Sequence, residues 1–341
     1  MGRVIVEPSD PIAKASQGLT QAPPAVVMIR PHQFAPNPAT VADNAFQSLP
    51  TGTPAEVARA AYDEVTVMAE QLRDAGVAVH LYDDVTHTAP DSVFPNNWFS
   101  THNSGQIAVF PMHSPSRRSE RRPDIIDELK AGYHVSVVYD YSGLEHDGLF
   151  LEGTGSMVLD HLHRVAYVCR SNRVSEPALQ RFCTDFDYHA FVFDAFDPAG
   201  TRIYHTNVLM ALATEYALVC LSAITEARQR RRVHGHLEAT GRRVIDLSAD
   251  QLTEFAGNAI EVQGRDGRLL VMSRRAVATL THDQRAVIES SSTLLPVDIG
   301  TIEHAGGSAR CMLAGIHLRA RTGGDIDEVQ DVPDPGLVRP N

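Results

Sequence analysis

Five segments of this chain start on a polar residue and run straight into apolar ones. They are Asn97-Trp98-Phe99, Glu152 leading to Ser156-Met157-Val158-Leu159, His205 leading to Asn207-Val208-Leu209-Met210, Asn258-Ala259-Ile260 and Cys311-Met312-Leu313. Their first residues lie 55, 53, 53 and 53 positions apart. Such near-constant spacing marks a repeat architecture, in which one supersecondary unit recurs. Equivalent points on units set round an axis converge near it, so Glu152, His205 and Cys311 are expected in one central cleft. Successive αβ units of similar length give the same spacing without an axis, so the chemistry must be read separately.

Strand and helix patterns alternate. Residues 25–30 (AVVMIR) read as a buried strand. Thr53-Pro54-Ala55-Glu56 is a capping box with Pro at the first helical position. Val57, Ala61, Met68 and Leu72 then follow one helical face, and Gly76 stops it. VAVHLY (77–82) is the next strand. The same order recurs in PDIIDELKAG then HVSVVYDY, in SEPALQRF then HAFVFDAF, and in a helix from Thr225 to Ala239 followed by RRVIDL. Ser248-x-x-Gln251 and Thr281-x-x-Gln284 are further capping boxes, and residues 265–268 make a hairpin turn. The fold class is α/β.

Of 341 residues, 43% are apolar and 21% charged, enough for a core without disulfides or a structural metal. The net charge of −12 repels phosphate backbones and anionic lipid, which disfavours nucleic acid and membrane as partners. No stretch approaches the ~18–20 apolar residues of a membrane span. The first 18 residues lack an apolar signal core. Four cysteines in a chain this long are not a disulfide framework, so a reducing cytoplasm is expected. Residues 1–24 and 321–341, rich in Pro and without periodicity, read as tails around one domain over 25–320.

Cys311 follows Gly306 and Gly307, which permit close backbone approach, and Arg310, whose charge favours thiolate. A lone cysteine is more often a small core hydrophobe, and Cys169, Cys183 and Cys220 read that way. His205 stands at a strand entrance, with Asn207 two residues on along the same face; imidazole is the natural proton shuttle near neutral pH. Glu152, between an apolar run and two glycines, is expected to be partly buried and paired. His234-x-His236 beside Arg228 and Arg230 reads as a solvated helix face, and His161-x-His163 as a turn. There is no HExxH, paired CxxC, phosphate loop or dinucleotide fingerprint, so no metal and no cofactor are expected.

LEGTGSM, YHTNVLM and GGSARCM, in that order and at those separations, resemble the guanidine-modifying enzyme superfamily, the penteins. The resemblance covers roughly residues 25–318. RPHQFAPNPATVADNAFQ, FPNNWFSTH and FAGNAIEV are most similar to its citrulline-utilisation hydrolase branch. The resemblance implies a five-bladed αβ propeller with pseudo-five-fold symmetry around a central site. It implies Cys311 as nucleophile, His205 as general acid and base, and Glu152 as the carboxylate holding the substrate nitrogens. Arg173 matches an arginine that anchors the substrate α-carboxylate, and Asn37 a substrate-binding asparagine of arginine dihydrolases.

Deiminases of the superfamily have Asp where this chain has Asn97 and Asn207. An amide offers one acceptor and two donors without charge, which suits a neutral ureido group better than a guanidinium. The expected reaction is therefore hydrolysis of citrulline to ornithine, carbon dioxide and ammonia through a covalent Cys311 intermediate. Arginine deiminase, arginine dihydrolase and amidinotransferase activities remain open, as does a non-catalytic metabolite binder. A papain-like protease does not fit the order Glu, His, Cys. The partner is a small amino-acid substrate; the sequence leaves homo-oligomerisation open.

Overall fold

The strand patterns read at 25–30, 77–82 and in HVSVVYDY, HAFVFDAF and RRVIDL each fall on a strand of a small three-stranded sheet. The structure is a computed structural model that describes residues 18–41, 44–86 and 88–321; the far ends of both expected tails lie outside the described residues. Its strands are β1 (Ala25–Pro31), β2 (Ala78–Asp84), β3 (Phe99–Thr101), β4 (Gln106–Val109), β5 (Val137–Asp140), β6 (Val158–Asp160), β7 (Val165–Cys169), β8 (His189–Phe193), β9 (Met210–Leu212), β10 (Tyr216–Val219), β11 (Arg243–Asp246), β12 (Ile260–Gln263), β13 (Arg268–Ser273), β14 (Thr293–Val297) and β15 (Ala314–Ile316).

They form five sheets of identical topology: β15-β1-β2, β3-β4-β5, β6-β7-β8, β9-β10-β11 and β12-β13-β14. In each, the first strand pairs antiparallel with the middle one, and the middle one parallel with the third. A parallel neighbour needs a long crossover, normally a helix. The helices Pro54–Asp74, Pro123–Gly132, Glu176–Phe186 and Ala227–Ala239 make four crossovers, and the pair Arg274–Thr279 and His282–Glu289 makes the fifth. This unit is the source of the sequence period. One sheet joins the two ends of the chain, because β15 pairs with β1.

Middle strands are covered on both faces, so β7 (VAYVC) and β10 (YALV) are apolar without alternation and buried throughout. The crossover helix Pro54–Asp74 buries Val57, Ala61, Val65, Met68, Ala69 and Leu72 as one stripe, and all three capping boxes are made. Gly76 does more than stop that helix. Its φ is +90°, and a Cβ there would meet Arg265 at 2.6 Å.

Two expectations need correction. Glu152 and His205 do not enter strands directly. Each precedes a four-residue helical turn, Gly153–Ser156 and Thr206–Leu209, which then leads into β6 and β9. His205 and Asn207 therefore do not share a strand face. The folded body also begins before residue 25: Gln21 donates to the carbonyls of Leu159 and Leu212 and accepts from His161 N.

A buried ion pair fastens two neighbouring sheets. Asp160 at the end of β6 accepts both Nη atoms of Arg242, whose Nε donates to Ala213 O at 2.7 Å. Burial alone would raise the Asp160 pKa; bonds from His163 and Arg242 hold it well below the ordinary carboxylate value. A depressed folded-state pKa contributes stability above the unfolded value, near 3.8, that is lost as pH falls below it. Arg242→Met leaves that carboxylate without its guanidinium, and denaturant unfolding should register a loss of about 3–5 kcal/mol. The same titration repeated below pH 4 should show a shallower acid dependence in the variant than in the parent.

Candidate active site

The five period residues stand at equivalent places. Asn97 ends a 3₁₀ turn ahead of β3, Glu152 and His205 precede their helical turns, Asn258 lies two residues ahead of β12, and Cys311 shortly ahead of β15. All five are buried. His205, Cys311, Asn97 and Arg173 line one narrow cleft, together with Asp91 and Arg117.

Glu152 is fully buried and saturated. Its Oε1 accepts His113 N at 3.0 Å; its Oε2 accepts Arg173 Nη1 at 3.0 Å and faces His205 Nε2 at 2.8 Å. Arg117 Nη1 lies 3.7 Å away. Burial pushes the Glu152 pKa up, but Arg173, His205 and Arg117 together hold it well below the usual range, so the group is a carboxylate. His205 moves down: burial, seconded by Arg173 and Arg117, outweighs the pull of Glu152. The ring is neutral at pH 7. The hydrogen-bond network assigns its proton to Nε2, facing Glu152, and leaves Nδ1 with a lone pair.

Cys311 is held by amides. Asn207 Nδ2 donates to Sγ at 3.3 Å and Asn258 Nδ2 at 3.2 Å. Asn258 also bonds Asn207 O, and its Oδ1 accepts the backbone N–H of Arg310 and of Cys311. One asparagine thus fixes both the sulfur and the backbone that carries it. Asn207 Oδ1 is a buried acceptor with no partner in the protein.

At the charged end of the cleft, Arg117 forms a two-pronged pair with Glu120 at 2.9 Å and lies 3.5 Å from Asp91. Asp91 is fixed by Asn37 Nδ2 at 2.7 Å. Burial raises the Asp91 pKa, with Arg117 and Asn37 opposing. With its amide turned so that both ends are satisfied, Asn97 Oδ1 accepts from Arg117 Nη2 at 3.1 Å and Nη1 at 3.2 Å.

The structure therefore brings all seven residues singled out from the sequence into one neighbourhood. Glu152 has its oxygens committed to His205, Arg173 and His113 N, so Asp91 is the carboxylate that lines the cleft. Arg173 is buried against Glu152. Asn37 reaches the cleft through Asp91. Three residues escaped the sequence reading. Asp91 and Arg117 lie in ordinary polar runs, and Asn258 was seen only as a period mark. Among the described residues no group of His, Cys, Asp and Glu could hold a metal ion, and no helix is long and apolar enough to cross a membrane.

This fold and site define a pentein of the guanidino-modifying superfamily. The chain belongs to the family described as N,N dimethylarginine dimethylhydrolase, eukaryotic, whose model matches residues 30–318. Among solved structures it is similar to the N-terminal domain of ArgZ with bound substrate, an arginine dihydrolase from the ornithine-ammonia cycle in cyanobacteria. That match has 16% identity, a TM-score of 0.64, and covers 86% of this chain and 97% of the other. Unliganded AgrE matches at 16% identity and TM-score 0.66, over 88% of this chain and 40% of its own. The DDAH from Pseudomonas aeruginosa complexed with citrulline matches at 14% and 0.58, over 86% and 100%. Likeness at this identity concerns the fold. No curated protein sequence matches.

Gly155 sets the spacing of the site. A Cβ there would stand 2.1 Å from the Asn97 side-chain amide and 2.8 Å from His205 Nδ1. Gly155→Ala must push these groups away, and displacement by about 1 Å can cost ~10²-fold in rate. The variant should keep its circular dichroism spectrum while kcat falls by about that factor; unchanged kcat would show that the close approach is not needed.

Proposed function

We propose that this protein is a cysteine-dependent hydrolase of the ureido or guanidino carbon of an arginine-like amino acid, with citrulline as the favoured substrate. The observation that carries the proposal is the shared cleft, in which a neutral, carboxylate-anchored His205 and an amide-held Cys311 meet a set of charges complementary to an amino-acid head. We also infer that the five sheets stand as blades of a closed propeller. The β15–β1 pairing supports this, as does a single cavity lined by the first strand of every sheet.

The cleft is divided by charge. Arg117 and Arg173 suit an α-carboxylate, and Asp91 suits an α-ammonium. At the sulfur the polar groups are the amides of Asn207 and Asn258, with Asn97 nearby. Asn207 Oδ1 offers the acceptor that a ureido N–H needs, and an unmet buried acceptor costs about 1–3 kcal/mol.

The chemistry follows from these positions. As sulfur adds to the ureido carbon, His205 takes the thiol proton. It then gives that proton to the departing δ-nitrogen, releasing ornithine and leaving an S-carbamoyl cysteine. His205 next accepts a proton from water, whose oxygen attacks the carbonyl carbon. Cys311 leaves as thiolate and is reprotonated, and the carbamate breaks down to carbon dioxide and ammonia. Glu152 stabilises the imidazolium in both steps.

Attack on a guanidino carbon is the second reading, favoured by Asp91, a carboxylate in the same cleft. Incubation with citrulline, arginine, N,N-dimethylarginine, agmatine and succinylarginine, with products identified by mass, separates the two. The first reading expects ornithine and equimolar ammonia from citrulline. Cys311→Ala should yield none, and Asn97→Asp should move preference toward guanidinium substrates. Citrulline accumulating unhydrolysed from arginine or dimethylarginine would sink the citrulline assignment. No turnover of any of the five would leave only a binding protein.

A further inference from the structure

A second cavity shares no lining residue with the cleft. Its wall comes from the first strand of each of the five sheets, with Arg310 and His317 projecting from the segment that carries Cys311. Arg310 is unusual there. Its Nη1 donates to Leu313 O at 2.9 Å, and among the described residues no carboxylate forms an ion pair with it. Glu261, the acid on this wall, is committed to Thr214 N and Oγ1 and to Ser292 Oγ. A guanidinium held in a cavity without a counter-ion is costly.

A second group points the same way. His317 stacks on His161 with ring centroids 3.8 Å apart, and its Nδ1 is buried with no partner. Burial and the Arg310 charge push the His317 pKa down to about 3, so the ring is neutral and the cavity's cation is Arg310. A neutral imidazole can present Nδ1–H to an acceptor.

We propose that this cavity binds a small oxyanion, a carboxylate or phosphate, on the Arg310 guanidinium with His317 Nδ1–H as second donor. The site communicates with the nucleophile. Arg310 N donates to Asn258 Oδ1, and Asn258 Nδ2 donates to Cys311 Sγ. The guanidinium also lies within electrostatic reach of that sulfur. A bound anion offsets the Arg310 charge that faces this sulfur, so occupancy slows the reaction of Cys311.

The test uses the full chain at constant ionic strength, titrated calorimetrically with inorganic phosphate, acetate or bicarbonate against chloride. Saturable one-to-one binding of at least one oxyanion is expected. Arg310→Gln should weaken it about tenfold or more, the loss of a charge-assisted bond. His317→Phe, which keeps the stack and removes the donor, should weaken it severalfold and carries the test should Arg310→Gln not fold. Arg173→Gln, in the other cleft, should leave it intact. Alkylation of Cys311 by iodoacetamide, followed on its peptide by mass, should slow at saturation in the parent but not in Arg310→Gln. Absence of saturable binding, or binding that Arg173→Gln abolishes and neither cavity variant weakens, overturns the site; an unchanged alkylation rate at saturation overturns the coupling.

Discussion

A carboxylate with no exposure to solvent organises this molecule. Glu152 survives ionised because two guanidinium groups and an imidazole surround it, and each comes from a different stretch of chain: Arg117 after β4, Arg173 after β7 and His205 before β9. Losing either arginine would remove a cation from a carboxylate that water does not reach, where weakening the pairing is costly. The cluster is therefore a reason for adjacent sheets to hold their positions, as well as a device for anchoring His205. Its geometry demands unusually close backbones, and residues 153–155 supply them. Gly153 has φ of +43° and backs onto Asn96 O, while Gly155 backs onto Asn97 and His205. The LEGTG stretch is thus a packing requirement of the charge cluster before it is a mark of any chemistry.

What the sequence disclosed is what local rules and the period control. The strand at 25–30, the third strands of four sheets, the crossover helices, the three capping boxes and the residue 265–268 hairpin depend on neighbours a few positions away, and all are present. The period found five residues that do stand at equivalent places. What stayed hidden depends on tertiary burial. Arg117 sits in PSRRSE beside Arg118 and looks like surface, yet it is buried between Glu120, Asp91 and Glu152. Asp91 in APDSVF looks like a turn residue. Glu152 was legible as an acid needing a partner, but its saturation by Arg173 and His205 follows only from the approach of three segments. The helical turns after Glu152 and His205 are too short for periodicity to reveal, so His205 and Asn207 do not have the shared strand face that their spacing suggests.

The distribution of charge across the cleft bears on which bond is broken. Asp91, Glu120 and Arg117 are tied into one network by Asn37 and Asn97. Around Sγ itself the fixed groups are amides. Amides donate to a thiolate without neutralising it, and they present acceptors without adding a second anion beside the first. A carboxylate in place of Asn207 would add a formal charge beside the sulfur that a cationic substrate could offset and a neutral one could not. The amide adds no such charge, so a guanidinium is not required to offset the site. That argument ties the identity of two asparagines to the charge of the group they meet, and it gives the citrulline reading its physical basis.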